Sequence, residues 1–344
     1  MKGLARIYKW IVLAVLFQVF VFSYLEFVYL PNRGAVKATA FELPDTAVKS
    51  RSIKIPADAK GACVSFDGSY AVYLQGEKLV VADTKNGKNL KTLNASGGEF
   101  SFYRWLPDRD MLIYSIKEPE GKKGQVMIST FDLRPDLERS YPNITGLPAG
   151  SSVTEIELSP LTNVVYAMVK TGETRIKVYK YNIMDNLTSV MNASVKAVFK
   201  ETLYSDNLVY QEPGKRVTIR SGKNGKSTYI PVKGNFQLLA LDDEDNIYAG
   251  ELDDSGKITA VHYGKADSKE WKKTALDAPF SPSEVVVTPG GSIYTISGDE
   301  KFIRDRTDGS QFTYEGELLE VLDDYIVSKD DGRLKMTAII REDE

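Results

Sequence analysis

Past residue 46 the chain alternates short apolar runs with polar turns, and one unit keeps returning. An apolar strand end runs into a turn built from Pro, Asp, Gly or Asn, and a few residues later comes an apolar-apolar-Tyr segment. The unit occurs at Ser65-Phe66-Asp67-Gly68 leading to Tyr73, at Leu106-Pro107-Asp108 leading to Tyr114, and at Ser159-Pro160-Leu161-Thr162-Asn163 leading to Tyr166. It returns at Ser205-Asp206-Asn207 before Tyr210, at Asp242 to Asn246 before Tyr248, and at Thr288-Pro289-Gly290-Gly291 before Tyr294. A degenerate seventh, Leu322-Asp323-Asp324, leads to Tyr325-Ile326-Val327.

The six tyrosines stand 41, 52, 44, 38 and 46 residues apart, and a further 33 reach Val327. Propeller blades repeat at about 40 to 50 residues. Helical solenoids share that period, but no 3.6-residue stripe lies between the repeats. Each Tyr is followed by a polar turn and another strand, as in Gly76-Glu77 before Leu79-Val80-Val81 and Asp254-Ser255-Gly256 before Ile258 to His262. A second turn often follows, such as Asn86-Gly87, Asn224-Gly225 or Asp308-Gly309. Asn-Gly and Asp-Gly are strong hairpin signals, so each unit reads as a four-stranded meander. The middle strands of a blade are covered on both faces by neighbouring blades, and a tyrosine ring fills such a gap while its hydroxyl reaches a loop.

The seventh unit is short of strands, because after Leu334 to Ile340 only Arg341 to Glu344 remain. A missing outer strand would leave an open edge. The run Val48 to Pro56, with Ile53 and Ile55 alternating, can supply it and close the ring. This favours seven four-stranded blades over six or eight.

The N-terminus has a different pattern. Lys2, Arg6 and Lys9 precede an apolar run from Trp10 to Leu30, and Pro31-Asn32 ends it. A run of 21 residues is long enough to cross a hydrocarbon core of about 30 Å. Trp10 and Tyr29 stand near its ends, where aromatic belts occur, and Glu26 lies near the outer one. The basic residues before the run place the N-terminus in the cytoplasm and the remainder outside; Arg33 and Lys37 oppose this without reversing it. The expected organisation is a cytoplasmic segment (1–9), an uncleaved transmembrane signal anchor (10–30), a linker (31–46) and a propeller (47–344). The rival is secretion after cleavage near Ala40, since Ala38-Thr39-Ala40 fits the small-x-small pattern, although the apolar stretch exceeds a usual signal core.

The turns resemble the Ser/Thr-Pro-Asp-Gly repeats of TolB-like and WD40-like propellers. Thr288-Pro289-Gly290-Gly291-Ser292-Ile293-Tyr294 and Ser65-Phe66-Asp67-Gly68 carry the resemblance best. Asp245-Asn246-Ile247-Tyr248-Ala249 is similar to the Asp-Gly-Asn-Ile-Tyr turns of other bacterial propellers, with Asp245 in place of Gly. The Trp-Asp dipeptide of true WD40 repeats is absent. The resemblance covers residues about 45 to 340 and implies the fold; it carries no functional residues, because this architecture serves scaffolds, enzymes and sensors alike.

Composition narrows the chemistry. The chain is 42% apolar and 26% charged with a net charge of −3, so no basic excess draws nucleic acid. The one cysteine, Cys63, excludes an intrachain disulfide and reads as a small buried hydrophobe. The one histidine, His262, falls on an expected strand and reads as structural. There is no G-x-S-x-G elbow and no phosphate-binding loop, and one His with one Cys cannot build a His-rich metal site. Asp242-Asp243-Glu244-Asp245 suggests calcium but coincides with a repeat turn, where Asp and Asn serve the backbone, and reads as a solvated turn. Asn94, Asn143, Asn186 and Asn192 match glycosylation sequons. No catalytic, cofactor-binding or metal-ligating residue is assigned.

Three functions fit. The first is a membrane-anchored, extracytoplasmic, non-catalytic scaffold that binds a protein or cell-envelope glycan through loops at one end of the ring. The second is a carboxylate-dependent enzyme acting on an extracellular polysaccharide. The third, a transmembrane sensor, is disfavoured because about nine residues precede the apolar run. Acidic and aromatic side chains converging on one pocket, with raised carboxyl pKa values, would favour the enzyme; polar faces with one apolar patch would favour the scaffold.

Overall fold

Each repeat folds as the antiparallel meander its turns dictate. The computed structural model describes residues 2–24, 48–118 and 124–341. The chain divides into two units, Met1–Ala47 and Val48–Glu344. In the second unit the described residues form seven sheets, one per repeat, which makes it a seven-bladed β-propeller. Blades 1 to 6 run over residues 60–94, 99–147, 152–194, 198–229, 236–280 and 285–313. Blade 7 combines residues 317–338 with the strand Arg51–Lys54.

The ring closes as the alternation of Ile53 and Ile55 predicts. Arg51–Lys54 pairs antiparallel with Arg333–Ala338, Ile53 facing Leu334 and Arg51 facing Met336. Ile53 and Ile55 are both buried in the cluster that joins blades 7 and 1. Arg51 extends the seam by donating from Nη1 to the Gly68 carbonyl at 3.0 Å and lying over the Tyr325 ring. Gly68 has a positive φ of 68°, and a Cβ there would come within 2.7 Å of that ring, so the seam needs glycine.

Seven apolar clusters fill the seven blade interfaces. The repeated tyrosines fall on the second strand of their blades. Tyr73, Tyr114, Tyr166, Tyr248 and Tyr294 are buried there, as is Val327 in blade 7. Tyr210 is half-buried and stacks on Phe199. Blade 2 departs from the four-stranded pattern. Its outer edge is split into Leu137–Ser140 and Ile144–Leu147, both pairing with Gly124–Asp132. Pro142 lies in the break between them, and proline has no N–H to continue a ladder.

At the other end of the chain, a helix runs from Lys2 to Tyr24. The transmembrane span expected over residues 10–30 is not supported. The helix begins at Lys2, inside the basic segment, and the apolar residues described in it are 10–24. Among the described residues no helix is long and apolar enough to cross a membrane. Residues 25–30, with Glu26, and the linker 31–46 lie outside the described residues, as does the cleavage site near Ala40.

Candidate functional site: the central channel

The innermost strands of all seven blades surround a channel of about 470 Å³. The turns after these strands gather at one end of it: Phe66, Pro107, Leu203, Asp242, Asp243, Pro289, Asp323 and Asp324 all line it.

Those turns are tied to the preceding blades through the acids that the repeat supplies. Asp245 of blade 5 accepts the backbone N–H groups of Leu203 and Tyr204 in blade 4. Asp323 of blade 7 accepts from the Gly290 N–H of blade 6 at 2.9 Å. Asp206 of blade 4 accepts from the Tyr166 hydroxyl of blade 3 at 2.7 Å and pairs with Lys180. In each case a turn acid reaches back to the preceding blade. Asp245 sits at φ 64°, the left-handed conformation that glycine takes in similar turns and Asp tolerates. The cluster Asp242–Asp245 is therefore partly structural: Asp242 accepts from the Tyr248 hydroxyl at 3.0 Å, while Asp243 and Glu244 face solvent. Among the described residues no group of His, Cys, Asp and Glu is arranged to hold a metal ion.

Deeper in the channel lies a group of charges. Arg104 of blade 2 faces Glu157 of blade 3 at 3.4 Å. Lys200 of blade 4 bridges Glu157 at 3.0 Å and Glu155 at 3.3 Å. Burial pushes the Glu157 carboxyl up, yet Arg104 and Lys200 together hold it below its ordinary value. Burial lifts Glu155 to about 7, with Lys200 pulling it back and Glu157 adding to the rise. Lys200 loses hydration, but Glu157 and Glu155 keep its pKa raised.

Two more carboxyls lack such partners. Both oxygens of Glu201 in blade 4 are shut from solvent and make no hydrogen bond; burial, with Glu157 and Asp206 nearby, drives its pKa well up. Glu320 of blade 7 has one orphaned oxygen, and burial raises it to about 7 against the Val64 N–H that favours its ionised form. Cys63, also on the wall, has its thiol pushed up by burial and by Glu320, which leaves it a poor nucleophile. His262 is elsewhere, on the third strand of blade 5, sharing a 2.9 Å hydrogen bond with Glu251 and standing edge-on to Phe236. A larger cleft of about 720 Å³ opens at the other end between blades 6 and 7, with Lys301, Glu317 and Glu320 among its walls.

None of the charged wall residues was singled out from the sequence. A signal was present, because Cys63, Arg104, Glu157, Lys200 and Glu320 all stand at one place in the repeat, just ahead of the turn that ends the inner strand. Aligning the repeats on their turns brings these positions into one column.

These features define a seven-bladed propeller whose channel wall carries buried acidic and basic side chains. No protein-family model and no curated protein sequence matches the chain. Solved structures do resemble it. A prolyl endopeptidase superposes with a TM-score of 0.53 at 15% identity, over 77% of this chain and 42% of the other. The Cps50 (Swd1) β-propeller domain of Myceliophteria thermophila superposes with a TM-score of 0.51 at 12% identity, over 84% of this chain and 98% of that domain. At such identities the likeness is one of fold. This chain spans under half the length of the peptidase.

Proposed function

We propose that the protein is a non-catalytic binding platform, held at the outer face of a membrane by residues 10–30, whose turn-bearing end captures a partner protein. The observation that carries this reading is the construction of that end. Asp245 and Asp323 latch turns of neighbouring blades, Asp206 fixes its own turn to Tyr166 of blade 3, and the same end carries Phe66 (38% exposed), Leu161 (57%) and Tyr204 (66%). Large side chains presented on a rigid frame bind at low ordering cost. The membrane-tethered arrangement draws on the apolar run and on the basic residues before it. Crosslinking of the full-length protein in cells, followed by identification of what it captures, tests the reading. A protein partner is expected. Capture of none, together with turnover of a glycan by the purified protein, contradicts it.

One observation favours the second reading, a carboxylate-dependent enzyme on an extracellular polysaccharide: Glu155, lifted to about 7, lies beside Glu157, which is held low. Such a split is the mark of an acid and a base. The geometry weighs against it. Glu157 is only 6% exposed and both carboxylates are engaged by Lys200, so a sugar ring has no approach to the pair.

A further inference from the structure

The outer edge of blade 4 is basic from one end to the other. From Pro213 to Leu241 the chain holds six basic residues and no acid, although it carries 47 acids in 344 residues. Lys215 and Arg216 lie in the turn before the third strand, Thr218–Ser221, which carries Arg220. Lys223 and Lys226 lie in the turn before the outer strand, Ser227–Tyr229, and Lys233 follows that strand. In a meander these two turns stand at opposite ends of the blade, so the charge runs the height of its edge. Five of the six are exposed; Arg220 is half-buried and donates to the Gly225 carbonyl at 2.8 Å. Among the described residues none of the six makes an ion pair. The next blade differs: on its outer strand Lys273 pairs with Glu251, and Asp277 pairs with Arg304 and Arg306 of blade 6.

The geometry beside these charges selects the ligand. A hollow of about 510 Å³ opens against the outer strand, with Tyr210, Lys215, Arg216, Thr218, Ser227 and Tyr229 on its wall. The acid on that wall, Glu212, accepts from the Ser194 N–H at 3.1 Å. A space of this size admits a sugar ring. Thr218 faces Tyr229 across the two strands and Arg220 faces Ser227, so all four share one face of the sheet. The Arg216 guanidinium lies 4.6 Å from the centroid of the Tyr229 ring and donates to the Ile230 carbonyl at 3.3 Å, which fixes it and leaves its other donors without a partner among the described residues. The hydroxyls of Tyr210, Ser227 and Tyr229 likewise have no hydrogen-bond partner there. Tyr229, 57% exposed, offers a ring on which a sugar face can pack, and a fixed guanidinium takes a carboxylate through two parallel N–H bonds. A flat bilayer would engage the lysines and leave the hollow and the hydroxyls unused. We infer that the outer edge of blade 4 binds a carboxylate-bearing polysaccharide, with one sugar ring in the hollow against Tyr229, its carboxylate on Arg216, and further units running along the edge toward Lys223 and Lys226. The inference goes beyond the platform reading and does not depend on what the turn-bearing end captures.

The test titrates the full-length protein in detergent with fluorescein-labelled decagalacturonate and reads anisotropy at low and at physiological salt. Labelled maltodecaose supplies the sugar without the charge, and labelled deca-glutamate the charge without the sugar. Decagalacturonate is expected to bind at least about tenfold more tightly than either, and more tightly at low salt. Lys215→Gln with Arg216→Gln should weaken that binding by about tenfold or more and flatten its salt dependence. Tyr229→Ala should weaken it by about threefold or more at both salt concentrations and leave deca-glutamate unaffected. Lys85→Gln with Lys88→Gln removes two exposed charges from the corresponding hairpin of blade 1 and should change it by less than about twofold. All five positions are exposed, and a melting curve of each variant checks the fold. Deca-glutamate binding as tightly as decagalacturonate, equal losses from the blade 4 and blade 1 pairs, or decagalacturonate binding no tighter than maltodecaose overturns the inference.

Discussion

The channel wall has two unequal arcs. Blades 7, 2, 3 and 4 present Glu320, Arg104, Glu157, Lys200 and Glu201, interrupted by Cys63 and Val64 of blade 1, whereas blades 5 and 6 present Ala240, Leu241 and Val287. Both arcs come from the same part of the repeat, on inner strands whose flanks are packed against neighbouring blades. The apolar arc shows that the ring closes without charge at this position. The charged arc is therefore not required by the fold, and each ion taken from water costs several kcal/mol that pairing only partly offsets.

Substitutions that treat the arcs alike should have unlike effects. The largest is expected from Lys200→Met, which leaves Glu155 and Glu157 without their shared cation. Urea unfolding at neutral pH should show a loss of about 3–5 kcal/mol. A loss no greater than that from an apolar-arc truncation would erase the distinction. Next comes Glu320→Gln. Burial raises Glu320 from 4.5 to about 7, so the folded chain holds a proton that the unfolded chain releases. Stability then falls as pH rises between those values and levels off above them. Wild type and variant should melt together near about pH 4, with the variant ahead by roughly 1–3 kcal/mol at about pH 8. A variant that is less stable at the higher pH would refute the assignment.

Asp245→Ala breaks the latch from blade 5 to the Leu203 and Tyr204 amides and places alanine at positive φ. A cost of about 1–2 kcal/mol is expected, with hydrogen exchange rising at both amides. Unchanged exchange there would show that the latch is idle. The smallest effect is expected from Val287→Ala in the apolar arc, about 1 kcal/mol and independent of pH between about 4 and 8. Any pH dependence would mean that this arc also senses the charges.

The two arcs also differ in how legible they were. The propeller could be read because its signals are local and repeated: a turn needs Asp, Asn or Gly, and the strand after it needs a ring to fill the blade interface. The same logic found the closing strand, since Ile53 and Ile55 alternate as a strand buried on one face must. The charged arc was hidden by that alternation. Thr154-Glu155-Ile156-Glu157-Leu158 has the pattern of any half-exposed strand, and a polar face toward an inner channel looks no different from one toward bulk solvent. With 47 acids in the chain, no spacing separates Glu157 and Glu201 from the rest. The split edge of blade 2 was also unforeseen, because it follows from one proline among residues that otherwise suit a continuous outer strand.

The central claim is that the end bearing the turns is the end that binds. A photo-crosslinking residue placed at Tyr204, exposed at that end, or at Glu77, exposed at the other, tests it in living cells. The account predicts a discrete protein adduct from position 204 and none from position 77. Adducts from position 77 with none from position 204 would contradict it.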